Sequence, residues 1–258
     1  MLLRTLCITM TLVAGVPALA SDTGKEKRWA EQIVDALLDG EPVWLEAGQD
    51  RFLGIYTAAE AAAPKGALIV AHGIGVHPDW DQVVKPIRVE MTTRGWSTLS
   101  IQMPILRNEA TAEEYVPLFD EAAPRIDAAI GFLHGQGIKT IVIAAHSMGG
   151  NMSAFYLSQH PDSPVAALIA VGMNAAQRNE RVNTARSLER IRIPVLDLYG
   201  GDDLPAVLDT ATLRDEAARK AGNSKYRQQV VSGAGHFFDG KNEELLSAVE
   251  SWLRGLGY

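Results

Sequence analysis

Apolar positions along the chain fall into two alternating patterns. Between Glu26 and Leu38, Trp29, Ile33 and Leu37 recur every fourth residue, which predicts a short amphipathic helix that Asp39-Gly40 stops. Pro42 to Glu46 and Arg51 to Tyr56 read as strands, and the turn Ala47-Gly48-Gln49-Asp50 joins them as a hairpin. The Ala-rich run from Ala58 to Lys65 is expected at the surface. From Gly66 onward, short apolar runs alternate with helical spacing. Strands are predicted over Ala67–Ala71, Ser97–Ile101, Thr140–Ala144, Val165–Val171, Pro194–Tyr199 and Tyr226–Val231. Helices are predicted over Asp81–Thr93, Glu121–Leu133, Gly149–Ser158, Ala211–Ala221 and Glu243–Leu253, with Pro124 near the start of the regular part of its helix. This alternation implies an α/β fold: a mostly parallel central sheet with helices on both faces. With no internal repeat and no flexible linker, residues 21–258 are expected to form a single domain.

The N-terminus departs from this pattern. Arg4 gives a short positive stretch, Leu6 to Val13 is largely apolar, and Pro17-Ala18-Leu19-Ala20 offers the small residues a signal peptidase reads. Residues 1–20 are therefore expected to be a signal peptide cleaved after Ala20, because the apolar run is too short for a convincing membrane span; an uncleaved anchor and a buried or frayed N-terminal element are the alternatives. Cys7 is the only cysteine and lies inside this segment, preceded by Leu6 rather than by the small residue of a lipoprotein site. The mature chain would then hold no cysteine, hence no disulfide. Export without disulfides suits a bacterial periplasm, with no stable membrane span after cleavage.

Composition adds exclusions. Of the 258 residues, 47% are hydrophobic and 21% charged, an ordinary globular balance. The formal net charge of −7 repels phosphate backbones, and no basic block offsets it, so nucleic acid is not an expected partner.

The candidate chemistry centres on Ala145-His146-Ser147-Met148-Gly149, which follows an apolar strand and precedes a helix. This is the G-x-S-x-G nucleophile elbow with Ala in its first position. Small residues at 145 and 149 let strand and helix backbones approach, and the turn lifts the Ser147 hydroxyl out at the carboxyl end of the sheet. A serine nucleophile needs a base, and the base needs an orienting carboxylate, in the order Ser, acid, His. His236 is the only histidine after His160, in the glycine-flanked loop Gly233-Ala234-Gly235-His236 beyond the last strand. For the acid, Asp202 and Asp203 both fall in the loop after Val195–Tyr199. Asp203 is favoured; Asp202, Asp197 and Asp239 remain alternatives, Asp197 being pinned within its strand.

Two backbone N–H groups should face the oxyanion. Met148, directly after the nucleophile, is one; Ile74 is the choice for the other, in the loop His72-Gly73-Ile74-Gly75, with His72 holding that loop. His77 and Trp80 either line a pocket or belong to a helix cap with Asp79 near the helix start. His72 and His77 lack the partners of a metal site, so no metal and no cofactor is expected. The Gly172–Ile193 connection, about twenty residues, allows one crossover helix but no large apolar flap, so the lid is minimal. Its arginines, Arg178 and Arg181, are candidates to rim an open site and to favour an anionic substrate.

Nearly all of the mature chain resembles the α/β-hydrolase superfamily and, more closely, a family of uncharacterised exported bacterial proteins grouped with it. The resemblance is carried by Arg28-Trp29-Ala30-Glu31-Gln32-Ile33-Val34, Gly75-Val76-His77-Pro78-Asp79-Trp80, Leu196-Asp197-Leu198-Tyr199-Gly200, Asp203-Leu204-Pro205-Ala206-Val207 and His236-Phe237-Phe238. The Ala145-His146-Ser147-Met148-Gly149-Gly150 stretch is also similar to that of small lidless bacterial lipases. The resemblance implies a triad of Ser147, Asp203 and His236. The expected function is a serine hydrolase acting on a small-molecule acyl substrate, ester or related, through an acyl-enzyme. The alternative is a non-catalytic binding or envelope-interaction protein on the same scaffold.

Overall fold

The computed structural model describes residues 21–175 and 179–258. The expected signal peptide with Cys7, and Gln177 and Arg178 of the crossover, lie outside the described residues. Helix α1 (Thr23–Ala36) leads into the hairpin of β1 (Glu41–Ala47) and β2 (Asp50–Thr57). Strand and helix then alternate through β3 (Gly66–Ala71), α2 (Val84–Thr93), β4 (Trp96–Ile101), α3 (Phe119–Gly135), β5 (Ile141–His146), α4 (Met148–Gln159) and β6 (Val165–Val171). They continue through the short α5 (Thr184–Leu188), β7 (Val195–Gly200), the single turn α6 (Pro205–Leu208), α7 (Ala211–Lys220), β8 (Tyr226–Val231) and α8 (Asn242–Gly255).

The strands form one sheet in the order β1-β2-β4-β3-β5-β6-β7-β8, in which β2 runs antiparallel to both neighbours and the pairs from β4 to β8 are parallel. Every residue of β3, β4, β5 and β7 is buried, as expected of strands covered on both faces. On one face α3 and α4 pack Ile126, Ile130, Met152 and Leu157 against the sheet; on the other, α2 and α8 supply Ile87, Met91, Leu245 and Leu253. Helix α1 lays Ala30 and Ile33 on Leu53 and Ile55 of β2. The expected hairpin forms, with Ala47 paired to Asp50 across the turn. This is the α/β-hydrolase fold. From β3 the chain moves to β4 on one side and then to β5 on the other. The carboxyl ends of β3 and β5 therefore flank a topological switch point, where open α/β sheets leave a crevice.

Three local expectations need correction. Helix α2 begins at Val84 rather than Asp81, with Val83 at φ 59° outside the helical region. A helix from Asp81 would require residue 86 to donate to the Gln82 carbonyl, which proline cannot do; starting at Val84 puts Pro86 in the first turn, where no donor is needed. Asp79 is not the cap of this helix, because its Oδ1 accepts instead from Nη2 of the buried Arg88 at 2.6 Å. Pro124 lies well inside α3, because a 3-10 turn at Val116–Leu118 and the buried Phe119 and Ala122 start that helix earlier.

Candidate active site

Strand β5 delivers Ser147 at the switch point in a strained conformation, φ 53° and ψ −123°, with its N–H donating to Val171 O at 2.8 Å. Such a backbone is uncommon for a residue with a Cβ and persists only where the surroundings over-determine it. The surroundings here are close: a Cβ on Gly149 would lie 2.4 Å from His72 O and 2.7 Å from Ala71 O. The small residue at 149 is thus a direct requirement of α4 packing onto the end of β3. Gly73 also approaches, since a Cβ there would meet the Ser147 Cβ at 3.0 Å.

The three residues expected to act together meet. Ser147 Oγ lies 3.0 Å from His236 Nε2, and His236 Nδ1 lies 2.6 Å from Asp203 Oδ1. The Nδ1–H donates to the carboxylate, which leaves Nε2 free to accept the serine proton. Asp203 Oδ1 also accepts from Leu204 N–H at 2.7 Å, and Oδ2 accepts from Gly200 N–H at 3.2 Å. Burial works to raise the Asp203 pKa, but the hydrogen bond and charge of His236 and these two N–H groups outweigh it and hold the carboxyl below its ordinary value. The other candidate aspartates are placed differently. Asp202 is exposed, and Asp239 accepts from Gln82 at 2.7 Å. Asp197 is buried, with Arg214 Nε at 2.7 Å, Tyr226 Oη at 2.6 Å and Gln228 Nε2 at 2.9 Å on its Oδ2.

Met148 opens α4, so its N–H belongs to the first turn, which has no intrahelical acceptor. Ile74 stands in the loop whose Gly73 abuts Ser147, and Gly75 turns that loop at φ 69°. His72 holds the loop from below: its Nδ1–H donates to Gly73 O at 2.8 Å, and its Nε2 accepts from Met103 N–H at 2.9 Å. His77 lies edge-on between Trp29 and Trp80, with ring centroids 5.2 and 5.4 Å away. Trp80 Nε1–H donates to Gln82 Oε1 at 3.1 Å, and Gln82 in turn bonds Asp239, two residues after Phe237. The pair therefore braces the loop of His236 through Gln82.

Two close neighbours of His236 carry no local sequence pattern that predicts them. His146 donates from Nε2 to His236 O at 3.0 Å, with ring centroids 4.8 Å apart. Gly172, at φ 64°, lies against the imidazole so closely that a Cβ there would meet Cε1 at 2.9 Å. A glycine placed directly after the last residue of a buried strand was the available signal. Arg181, expected at the rim, pairs instead with Asp120 of α3. With Arg186 and Arg190 it lines a cavity beside Phe155 and Gln159 at the far end of α4. At 1.5 Å per residue that is about 12 Å or more along the helix from Ser147.

Burial drives the His72 pKa down to about 3. It likewise drives that of His146 down to about 4, with the charge of His236 adding to the effect. Both folded values lie below the ordinary value near 6.5, so the unfolded chain takes up protons first as pH falls. Their contribution is complete above about pH 6.5 and is lost progressively toward pH 4, at up to roughly 1.4 kcal/mol per pH unit for each group. Urea midpoints measured from pH 7 to 4.5 should fall, and His146→Gln should flatten that slope; a profile unchanged by the substitution would contradict this source.

Among the described residues, no helix is long and apolar enough to cross a membrane, and no group of three or more His, Cys, Asp or Glu could hold a metal ion. No curated protein matches the sequence. Solved structures share the fold at low identity. Est1E from Butyrivibrio proteoclasticus superposes with a TM-score of 0.64 at 13% identity, over 83% of this chain and 98% of its own. The esterase Pf2001 from Pyrococcus furiosus gives 0.67 at 14% over 86% and 94%, and a dienelactone hydrolase from Anabaena variabilis 0.64 at 20% over 83% and 96%. Residues 17–123 and 108–255 match the family model described as a protein of unknown function (DUF3530), and the chain belongs to that family.

Proposed function

We propose that the protein is an exported serine hydrolase that cleaves carboxylic esters or related acyl substrates through an acyl-enzyme, with residues 21–258 as its mature hydrolase domain. The observation that carries the reading is the chain of contacts from Ser147 Oγ to His236 Nε2, 3.0 Å, and from His236 Nδ1 to Asp203 Oδ1, 2.6 Å. A strained serine at a switch point supports it, since strain of this kind clusters at reacting centres.

In this mechanism Ser147 Oγ attacks the acyl carbonyl carbon while His236 Nε2 takes the hydroxyl proton. Asp203 keeps the Nδ1–H tautomer and stabilises the imidazolium. The oxyanion accepts from the N–H groups of Met148 and Ile74. His236 then gives its proton to the departing alkoxide, and a water repeats the cycle to release the acid and regenerate the serine. The neighbours' names set the test panel. It comprises short p-nitrophenyl esters, a feruloyl ester because a structure of Est1E holds ferulic acid, a lactone because of the dienelactone hydrolase, and a thioester and an amide. Turnover of at least one ester is the expected outcome; purified mature protein inert toward every member would overturn the reading in favour of a binding role.

The packing of Gly172 gives a sharper expectation. Gly172→Ala should drive a methyl group against the imidazole and lower kcat for the best ester by on the order of 10²-fold, the cost of displacing a catalytic group by about 1 Å. Far-ultraviolet circular dichroism should stay at the wild-type spectrum. Full activity in that variant would mean the base is not held by this contact.

A further inference from the structure

The start of α1 is held in an unusual way. Ser21 is 7% exposed, and its backbone nitrogen lies 3.3 and 3.2 Å from the two carboxylate oxygens of Glu121 on α3. Its Oγ accepts from Arg125 Nη2 at 3.2 Å. Asp22 N–H donates to Ile105 O at 2.7 Å, while the Asp22 carboxylate caps α1 through Lys25 N–H at 2.9 Å. Next to this, Arg125 pairs with the buried Glu26 at 3.0 Å.

The charges at this corner do not balance. Arg125 pairs with Glu26, and burial raises the Glu26 pKa against that pairing, with the negative charge of Glu121 a smaller addition. Lys25 is turned away, donating to Leu106 O at 2.9 Å and Asn108 Oδ1 at 2.7 Å. The 102–106 segment contributes no charged side chain. A backbone amide offers a single hydrogen, yet the nitrogen of Ser21 sits almost evenly between two carboxylate oxygens. An ammonium, with three donors and a positive charge, suits that position better than an amide.

We propose that hydrolysis of the Ala20–Ser21 bond creates an α-ammonium on Ser21 that forms an ion pair with Glu121 and fastens α1 to α3. The proposal rests on the expectation that residues 1–20 are a signal peptide. It is independent of the catalytic reading. Water supplies the hydroxyl that completes the Ala20 carboxylate and the proton that goes to the Ser21 nitrogen, which is protonated at neutral pH; a signal peptidase is the catalyst. The positive end of α1 opposes a cation there, and the carboxylates of Asp22 and Glu121 offset it.

The pair carries a defined pH signature. An α-amino group has an ordinary pKa of about 8; an ion pair with Glu121 would raise it in the folded state, opposed by the burial of Ser21 and the guanidinium of Arg125. The contribution is therefore complete below about pH 8 and is lost as pH rises through the folded value.

The full chain should be produced in an exporting bacterial host and its N-terminus read by intact mass. The same mature chain should be compared with one retaining residues 17–20 and with one acetylated at Ser21, by urea unfolding from pH 7 to 10. The proposal expects a mass beginning at Ser21. It also expects the free-amine chain to exceed both others at pH 7 by roughly tenfold in its folding equilibrium constant, an excess that fades toward pH 10. In Glu121→Gln the three forms should coincide. Should that variant fail to fold, the acetylated chain matching the extended one carries the same information. A mature N-terminus elsewhere, equal stability of free and acetylated chains, or an excess that survives in Glu121→Gln would overturn the proposal.

Discussion

Replacing Ser147 by alanine is expected to lower kcat/KM for ester hydrolysis by about 10⁴-fold or more, with stability close to wild type. The magnitude follows from the proposed role of Ser147 as nucleophile: without the Oγ no acyl-enzyme could form, and only the proposed oxyanion donors and substrate binding would remain. The stability expectation follows from the position. Ser147 Oγ contacts His236 Nε2, but the backbone strain at φ 53° is imposed by Val171, Gly149 and the β3 loop, and alanine meets the same strain. His236→Ala should fall by a comparable factor, and the double variant should fall little further, because residues that act as one unit are not additive. Initial rates of all three proteins on one p-nitrophenyl ester check this. Additive losses in the double variant would mean that serine and histidine act separately.

Arg214→Ala is expected to cost about 3–5 kcal/mol of stability, the range for removing one partner of a buried ion pair. Arg214 and Asp197 are both fully buried, joined at 2.7 Å. The guanidinium also donates to Val207 O at 2.9 Å and Thr210 Oγ1 at 2.8 Å, so it ties β7 to the α6 turn that follows Asp203. Its loss would leave the carboxylate of Asp197 in the interior with only Tyr226 and Gln228 as donors. The paired replacement Arg214→Met with Asp197→Leu should recover much of the loss, since exchanging both charges for apolar groups removes the desolvation penalty. Equilibrium urea denaturation of the single and double variants decides it. A loss under about 1 kcal/mol in Arg214→Ala would show that the pair is not a keystone of this region.

Much of the architecture was legible because it is written in local periodicity. The apolar runs of β3, β5 and β6 and the three- and four-residue spacing of α1 and α3 are patterns of neighbours along the chain. The residues that meet at Ser147 were legible for a related reason: a serine between small residues at a strand end, and a lone late histidine flanked by glycines, are also local signals. The remaining features depend on segments far apart in sequence. Gly172 supports an imidazole that arrives from residue 236, and His146 bonds a carbonyl of that same loop. Asp79 had the chemistry of a helix cap, but Arg88 claimed it, and Pro86 moved the helix start away from it. Arg181 had the charge to rim a site, yet the crossover carries it toward Asp120 and the far end of α4. Each of these outcomes was set by tertiary approach, which no local period encodes.

Ser147 is the proposed nucleophile. Its most direct test is covalent capture: incubating the mature protein with a fluorophosphonate probe and reading the intact mass and the labelled peptide. One adduct per chain is expected, located on Ser147, absent from Ser147→Ala and strongly slowed in His236→Ala. A wild-type protein that stays unlabelled under conditions that modify a known serine esterase, or a label that persists in Ser147→Ala, would contradict it.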